Sequence, residues 1–241
     1  MFRNLPWKSI RLAFILLAVI ALNSFTRIRN SARKVTQISI HIDHPDQPLM
    51  TSETVNKLLI EKIGPLQSQL KDGLDLNTLE ISVRNLKMVQ QAQVALGLNG
   101  KLSINIKQRV PVGRVFLGTR SFYIDTEGIN VPLSDFYTAH VPLITGKVGG
   151  ISRQKLTEVL QYIQADSFLK KNIIGLKVLD QSVLEMYPRN QDFVIDFGRP
   201  IRIREKFKNY QAFFQKAVVD SSLGKYKRLN LRYTQQVVCI K

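Results

Sequence analysis

Every position from Leu12 to Leu22 is apolar, and charge brackets the run closely, with Lys8 and Arg11 before it and Arg27, Arg29, Arg33 and Lys34 after it. At about 1.5 Å rise per residue, the uncharged stretch from Arg11 to Arg27 reaches roughly 22 Å as a helix, short of a hydrocarbon core of about 30 Å. Snorkelling of Arg11 and Arg27 closes the difference, and Trp7 stands where an interfacial aromatic belongs. The pattern predicts an uncleaved transmembrane anchor over 11–27, with Leu12, Phe14, Ile15, Leu16, Leu17, Val19, Ile20 and Leu22 toward lipid, behind a short basic cytoplasmic tail over 1–10. A cleaved signal peptide opens the same way, but the small residues that a signal peptidase reads are missing: Ala21-Leu22-Asn23 fits poorly and Asn30-Ser31-Ala32 comes late. A buried soluble helix is the third reading. Basic residues flank both ends, so charge does not orient the segment, whereas a short tail ahead of a large domain favours the bulk of the chain lying outside the cytoplasm, in the periplasm.

From Val35 the period changes to two. Ile38, Ile40 and Ile42 alternate with Gln37, Ser39 and His41, a half-buried strand stopped by Asp43, His44, Pro45, Asp46 and Pro48. Ser52 is placed to cap a helix carrying Val55, Leu58, Leu59 and Ile63 on one side and ending at Gly64-Pro65. Asn77 with Glu80 reads as a capping box for a second short helix. Strands Met88–Leu96 and Leu102–Arg109 follow, joined at Asn99-Gly100. Strand, helix, helix, strand, strand is the resulting order, and two helices on one face of three strands would bury one core.

Beyond Pro111 the pattern predicts strands at Arg114–Leu117, Ser121–Asp125 and Ile129–Leu133, the middle turn being Asp125-Thr126-Glu127-Gly128. A helix from Ser152 to about Asp166 carries Leu156, Val159, Leu160 and Ile163 at helical spacing. Strands at Ile173–Leu179, Val183–Tyr187 and Phe193–Asp196 come next, and a long amphipathic helix sets Ile203, Phe207, Tyr210, Phe214, Ala217 and Val218 along one stripe. Arg228–Ile240 reads as one terminal strand. Leu229, Leu231, Tyr233, Val237 and Cys239 share its apolar side, while Val238 and Ile240 make the end of its polar side apolar too. Such an edge needs a cover from its own fold or from another chain.

Composition refines this. With 241 residues, 13 Gly, 9 Pro and 44% hydrophobic residues, the chain is one large or two small domains, and collagen-like or low-complexity classes are excluded. One cysteine, Cys239, forms no intrachain disulfide and leaves the redox compartment open. The net charge of +17 is uneven: +7 over residues 1–34, +1 over 35–198 and +9 over 199–241. A basic head and tail around a balanced body differ from a nucleic-acid-binding face spread over a fold. A lipid- or nucleic-acid-binding module using the basic C-terminal region is nevertheless the alternative reading, with steep salt dependence as its signature. For the first cluster, contact with anionic headgroups fits better than nucleic acid.

Catalytic chemistry finds no support in the pattern. His41 and His44 face opposite ways on a strand and make a poor metal pair. Cys239 and His140 belong to no motif, and Asp125 with Glu127 sits beside the Gly128 of a turn. No phosphate-cradling glycine loop is present. The expectation is a protein without catalytic residues, cofactor, metal or small-molecule substrate.

Four segments carry a family resemblance. Lys107-Gln108-Arg109-Val110-Pro111, Phe122 to Gly128 followed by Val131-Pro132-Leu133, Val141-Pro142-Leu143-Ile144-Thr145-Gly146, and Leu229-Asn230-Leu231-Arg232-Tyr233 occur in this order. The ordered set resembles the cell-division protein family FtsQ/DivIB. The resemblance implies an α+β chain: the N-terminal transmembrane helix, a POTRA-type β-α-α-β-β domain over 34–110, and a β-rich domain with two helices over 111–241. It also implies a non-enzymatic divisome scaffold, single-pass in the cytoplasmic membrane, that links early and late division proteins. Its partners would be small bitopic division proteins of FtsB/FtsL type and other divisome components, with no nucleic acid. The family pattern puts partner binding by strand addition on Asn230, Arg232, Tyr233, Thr234, Gln235, Gln236, Val237 and Val238. Spacing alone favours a satisfied surface arginine at Arg232 and a core tyrosine at Tyr233, and the resemblance reverses that preference.

Overall fold

The computed structural model describes residues 7–31, 34–65, 70 and 73–241 of the chain. The chain is α+β and divides into two compact units, Met1–Pro45 with Met50–Lys107, and Asp46–Leu49 with Gln108–Lys241.

In the first unit, helix α1 (Trp7–Ser31) precedes β1 (Gln37–Ile42), α2 (Ser52–Ile63), α3 (Leu76–Arg84), β2 (Val89–Leu96) and β3 (Lys101–Gln108). The three strands form a sheet in the order β1-β3-β2, with β1 parallel to β3 and Ile40 opposite Ile104. The parallel pair is reached through the intervening helices and β2, as parallel strands require. Val55 and Leu59 of α2 and Leu79 and Val83 of α3 lie four residues apart on their helices and are buried with Leu102 and Ile104. The caps sit one and two residues earlier than the sequence pattern places them. Thr51 Oγ1 accepts from Thr54 N at 3.2 Å, and Asp75 Oδ1 accepts from Asn77 N at 3.0 Å and Thr78 N at 3.1 Å. Glu80 is not part of a capping box. It pairs with Arg84 one turn on and accepts from Val94 N at 3.3 Å.

Helix α1 overturns the anchor expected over 11–27. Among the described residues no helix is long and apolar enough to cross a membrane, so the transmembrane helix and the single-pass membrane location inferred from it are both withdrawn. The helix has 25 residues, yet its unbroken apolar run stops at Arg11 on one side and Asn23-Ser24 on the other. Leu12, Phe14, Ile15, Leu16, Leu17, Val19, Ile20 and Leu22 line its exposed surface, and Trp7 packs beneath the Arg11 guanidinium, 5.9 Å from the ring centroid. Residues 1–6 of the expected basic tail, and Arg33, lie outside the described residues.

The second unit contains β4 (Pro111–Leu117), β5 (Arg120–Asp125), β6 (Asn130–Val131), β7 (Leu143–Gly146), α4 (Arg153–Ala165), α5 (Ser167–Asn172), β8 (Ile173–Val178), β9 (Leu184–Pro188), β10 (Val194–Gly198), α6 (Ile203–Val219), β11 (Arg228–Asn230) and β12 (Val238–Ile240). One nine-stranded sheet takes them in the order β12-β11-β10-β9-β8-β7-β4-β5-β6. The helices form parallel crossovers, α4 and α5 between β7 and β8, and α6 between β10 and β11. Leu156, Val159, Leu160 and Ile163 of α4 and Ile203, Phe207 and Tyr210 of α6 join the buried strand residues in one core. Tyr162 stacks on Phe207 with centroids 5.3 Å apart, and the Tyr210 hydroxyl donates to Asn172 Oδ1 at 2.5 Å.

Two helices were expected in this region, and three α-helices form. Asp166 terminates α4 and caps α5, accepting from Phe168 N at 3.0 Å and Leu169 N at 2.8 Å. The strand expected at Ile129–Leu133 shortens to Asn130–Val131, and Leu143–Gly146 becomes a central strand between β4 and β8.

Candidate functional site

The terminal strand expected over Arg228–Ile240 is two strands folded back on each other. Asn230 Oδ1 accepts from Arg232 N at 2.9 Å, a side-chain turn that ends β11. The chain then loops through residues 231–237 and returns as β12, antiparallel to β11, with Cys239 opposite Leu229 and Val238 opposite Asn230. Leu229 and Cys239 face the core, where burial pushes the Cys239 thiol up. β12 is the last strand of the sheet, paired on one border to β11. Val238 and Ile240 are on the opposite face from Cys239 and are exposed, Ile240 to 51%.

Side chains from β10, from α6 and from the residue that precedes α6 fix the loop. Asp196 of β10, 5% exposed, holds Arg232 Nε at 2.9 Å from Oδ2 and 3.0 Å from Oδ1. Asn209 Nδ2 of α6 donates to Thr234 O at 2.7 Å, and Arg202 Nη1 donates to Thr234 Oγ1 at 3.1 Å. Arg202 itself stands in the left-handed region at φ 49° where α6 begins. Beside it, Gly198 has φ +74°, and a Cβ there would come 2.9 Å from Arg232 Cγ, so this position needs glycine on both counts.

Under the loop lies Lys206, buried on the core stripe of α6. Its Nζ donates to Phe197 O at 2.7 Å and Arg199 O at 2.9 Å and sits 4.8 Å from the Phe197 ring centroid. Burial pulls the Lys206 ammonium down to about 8; Asp196 opposes this and Arg232 adds to it. A shallow recess of about 460 Å³ opens over this group, with Arg232, Tyr233, Thr234, Gln235 and Gln236 along its loop side. Tyr233 is 59% exposed.

With this hairpin and recess in place, comparison with known proteins is decisive at the level of family. Residues 110–240, more than half of the chain, match the family described as FtsQ/DivIB, C-terminal related. The chain belongs to the FtsQ/DivIB family. A comparison with curated proteins finds no match. FtsQ/DivIB is a family of non-enzymatic cell-division scaffolds, and the matched segment takes in the whole nine-stranded sheet.

In this FtsQ/DivIB-family chain the eight residues singled out from the sequence separate into three settings. Asn230 is inside the sheet, between β10 and β12. Arg232 to Gln236 gather on the recess, and Val237 and Val238 lead into the edge strand, Val237 packed against the core. Sequence reasoning missed Asp196, Arg202, Lys206 and Asn209. For Lys206 a signal existed: it stands three residues after Ile203 and four before Tyr210, a lysine on an otherwise apolar stripe.

The motif Phe122 to Gly128 has a structural job. Asp125, 1% exposed, accepts from Glu127 N at 2.9 Å and Ile129 N at 2.7 Å through Oδ1, and binds Arg109 Nη1 at 2.5 Å through Oδ2. Glu127 meets the same nitrogen at 2.9 Å. Burial lowers the Arg109 pKa, and the two carboxylates more than offset this and leave it raised. The neighbouring Gln108 amide accepts from Leu49 N at 3.0 Å and donates to Gln47 O at 2.9 Å, stitching the 46–49 segment to the second unit.

Proposed function

We propose that this chain acts as a division scaffold by lending the outer border of β12, together with the adjoining 231–237 loop, to a segment of a small FtsB/FtsL-type division protein that adds one more strand to the sheet. The carrying observation is that β12 ends the nine-stranded order while exposing Val238 and Ile240 on one face. An unpaired strand border with apolar side chains is a template for another chain. Main-chain hydrogen bonds would supply affinity and alternate side chains specificity. Tyr233, exposed on the loop that leads into β12, is the aromatic anchor of this reading.

The same observations weigh against a nucleic-acid or lipid surface made from the basic C-terminal region. Arg228 is 2.9 Å from Glu185 and Arg232 is 2.9 Å from Asp196, so two of the cations there already face carboxylates.

The test is a photo-crosslinkable amino acid placed singly at positions 228–241 of the full chain in cells, with the captured protein identified by mass spectrometry. Capture of one small protein from 233, 238 and 240, and none from the fully buried Leu229, is expected. Capture by no position, or equally by all, overturns the reading.

A further inference from the structure

A second recess, of about 860 Å³, lies in the same unit between the segment leading into β7, helix α5 and the start of β8. Its rim carries Arg114 of β4, Lys170 and Lys171 of α5 and Arg189 after β9, and no acidic residue lines it. Among the described residues none of these four cations is paired with a carboxylate, in contrast to Arg109, Arg228 and Arg232. The two guanidiniums are oriented by their inner nitrogens: Arg114 Nε donates to Ser121 Oγ at 2.9 Å and Arg189 Nε donates to Lys171 O at 3.1 Å. Their terminal nitrogens remain for a ligand. The floor is aliphatic, and Leu143 and Ile174 are 41% and 42% exposed on strands that are interior to the sheet.

We propose that this groove is a second docking site, for an extended acidic peptide segment bearing aliphatic side chains. Its size lies within the roughly 300–1,000 Å³ of ligand sites and gives room for several residues. Charge complementarity decides the occupant. Four cations around one depression repel one another unless anions join them, and arginine forks match carboxylates in two-pronged fashion. Leu143 and Ile174 gain by burial under aliphatic side chains of the same segment. The site is independent of β12, so loss of strand addition there leaves this proposal standing.

Fluorescence anisotropy on the full chain tests it with three labelled hexapeptides: alternating glutamate and leucine, the glutamine counterpart, and the lysine counterpart. Binding of the glutamate peptide, at least tenfold weaker binding of the glutamine peptide, and a further loss between 50 and 300 mM salt of about threefold or more are expected. Lys170→Glu with Lys171→Glu is expected to weaken binding at least tenfold at an unchanged melting temperature. Should that reversal unfold the chain, Lys170→Ala with Lys171→Ala repeats the measurement with helix-compatible residues. Amide shifts at 139–141, 143 and 170–174 on titration locate the contact. Equal binding of the glutamine peptide, unchanged affinity in both lysine variants, or binding of phosphatidylglycerol vesicles at these residues without peptide binding overturns the proposal.

Discussion

Arg232 Nε lies 2.9 Å from Asp196 Oδ2, which ties the turn between β11 and β12 to the middle of β10. The two partners are unequal, since Asp196 is 5% exposed and the Arg232 side chain about half exposed. Asp196 is also the carboxylate that attracts the buried Lys206. Removing it strands Lys206 without a counter-charge, whereas removing Arg232 leaves Asp196 near Lys206. Asp196→Ala should therefore cost about 3 kcal/mol and Arg232→Ala about 1 kcal/mol. Urea denaturation of the two variants checks the order, and equal losses would mean that Lys206 and Asp196 are not coupled.

Lys206 gives a pH signature of definite sign. Its folded value is about 8 against an ordinary 10.5. Below pH 8 both folded and unfolded chains hold the proton, and the cost of burying the charge is present in full. Between about 8 and 10.5 the unfolded chain holds a proton that the folded chain has released, so stability rises with pH. The stability of the native chain relative to Lys206→Met should thus be greater at pH 10 than at pH 7. Paired urea midpoints at the two pH values measure the difference, and a native-minus-variant stability that falls from pH 7 to pH 10 refutes the assignment.

Asp125 should matter more than Glu127 although both contact Arg109. Asp125 is buried and supports two turn amides as well as the guanidinium, while the Glu127 side chain is 48% exposed. Asp125→Ala should cost about 3 kcal/mol, and Glu127→Ala less than about 1 kcal/mol. Thermal melts of both variants decide between a turn held by Asp125 and a simple acidic pair.

Much of the second unit was legible because its elements are local and periodic. The apolar stripe of α4 at 156, 159, 160 and 163, that of α6 at 203, 207 and 210, and the Asp125-Thr126-Glu127-Gly128 turn are written in consecutive residues. What escaped depends on contacts distant in sequence. Residues 228–240 contain no Gly or Pro and roughly alternate, yet the strand breaks because Asp196 and Asn209, 36 and 25 residues away from their partners, hold Arg232 and Thr234 off the ladder. Helix α5 has six residues, too few to display a stripe. The apolar run of α1 was read as a span because snorkelling by Arg11 and Arg27 was credited with extending a stretch that is itself short of the bilayer, yet among the described residues no helix is long and apolar enough to cross one. The recess follows the same division: residues 232–236 were singled out through the family resemblance of the last strand, and the groups that hold them from β10 and α6 are distant in sequence and were not.

The edge reading makes a graded prediction. Val238 and Ile240 point away from the core, so replacing both with lysine leaves Cys239 packed near Leu229 and adds charge to the border, the device by which exposed edges avoid pairing. Val238→Lys with Ile240→Lys should keep the melting temperature within a few degrees and reduce capture of the partner at least tenfold. Tyr233→Ala should reduce capture more than Gln236→Ala, because both line the recess and the exposed aromatic has more apolar area to bury than the glutamine. Co-purification of the FtsB/FtsL-type partner with each variant, scored against the native chain, reads both comparisons. If the double lysine variant still captures the partner fully, the added strand does not lie along β12. If Gln236→Ala equals Tyr233→Ala, the loop contributes general surface and no anchor.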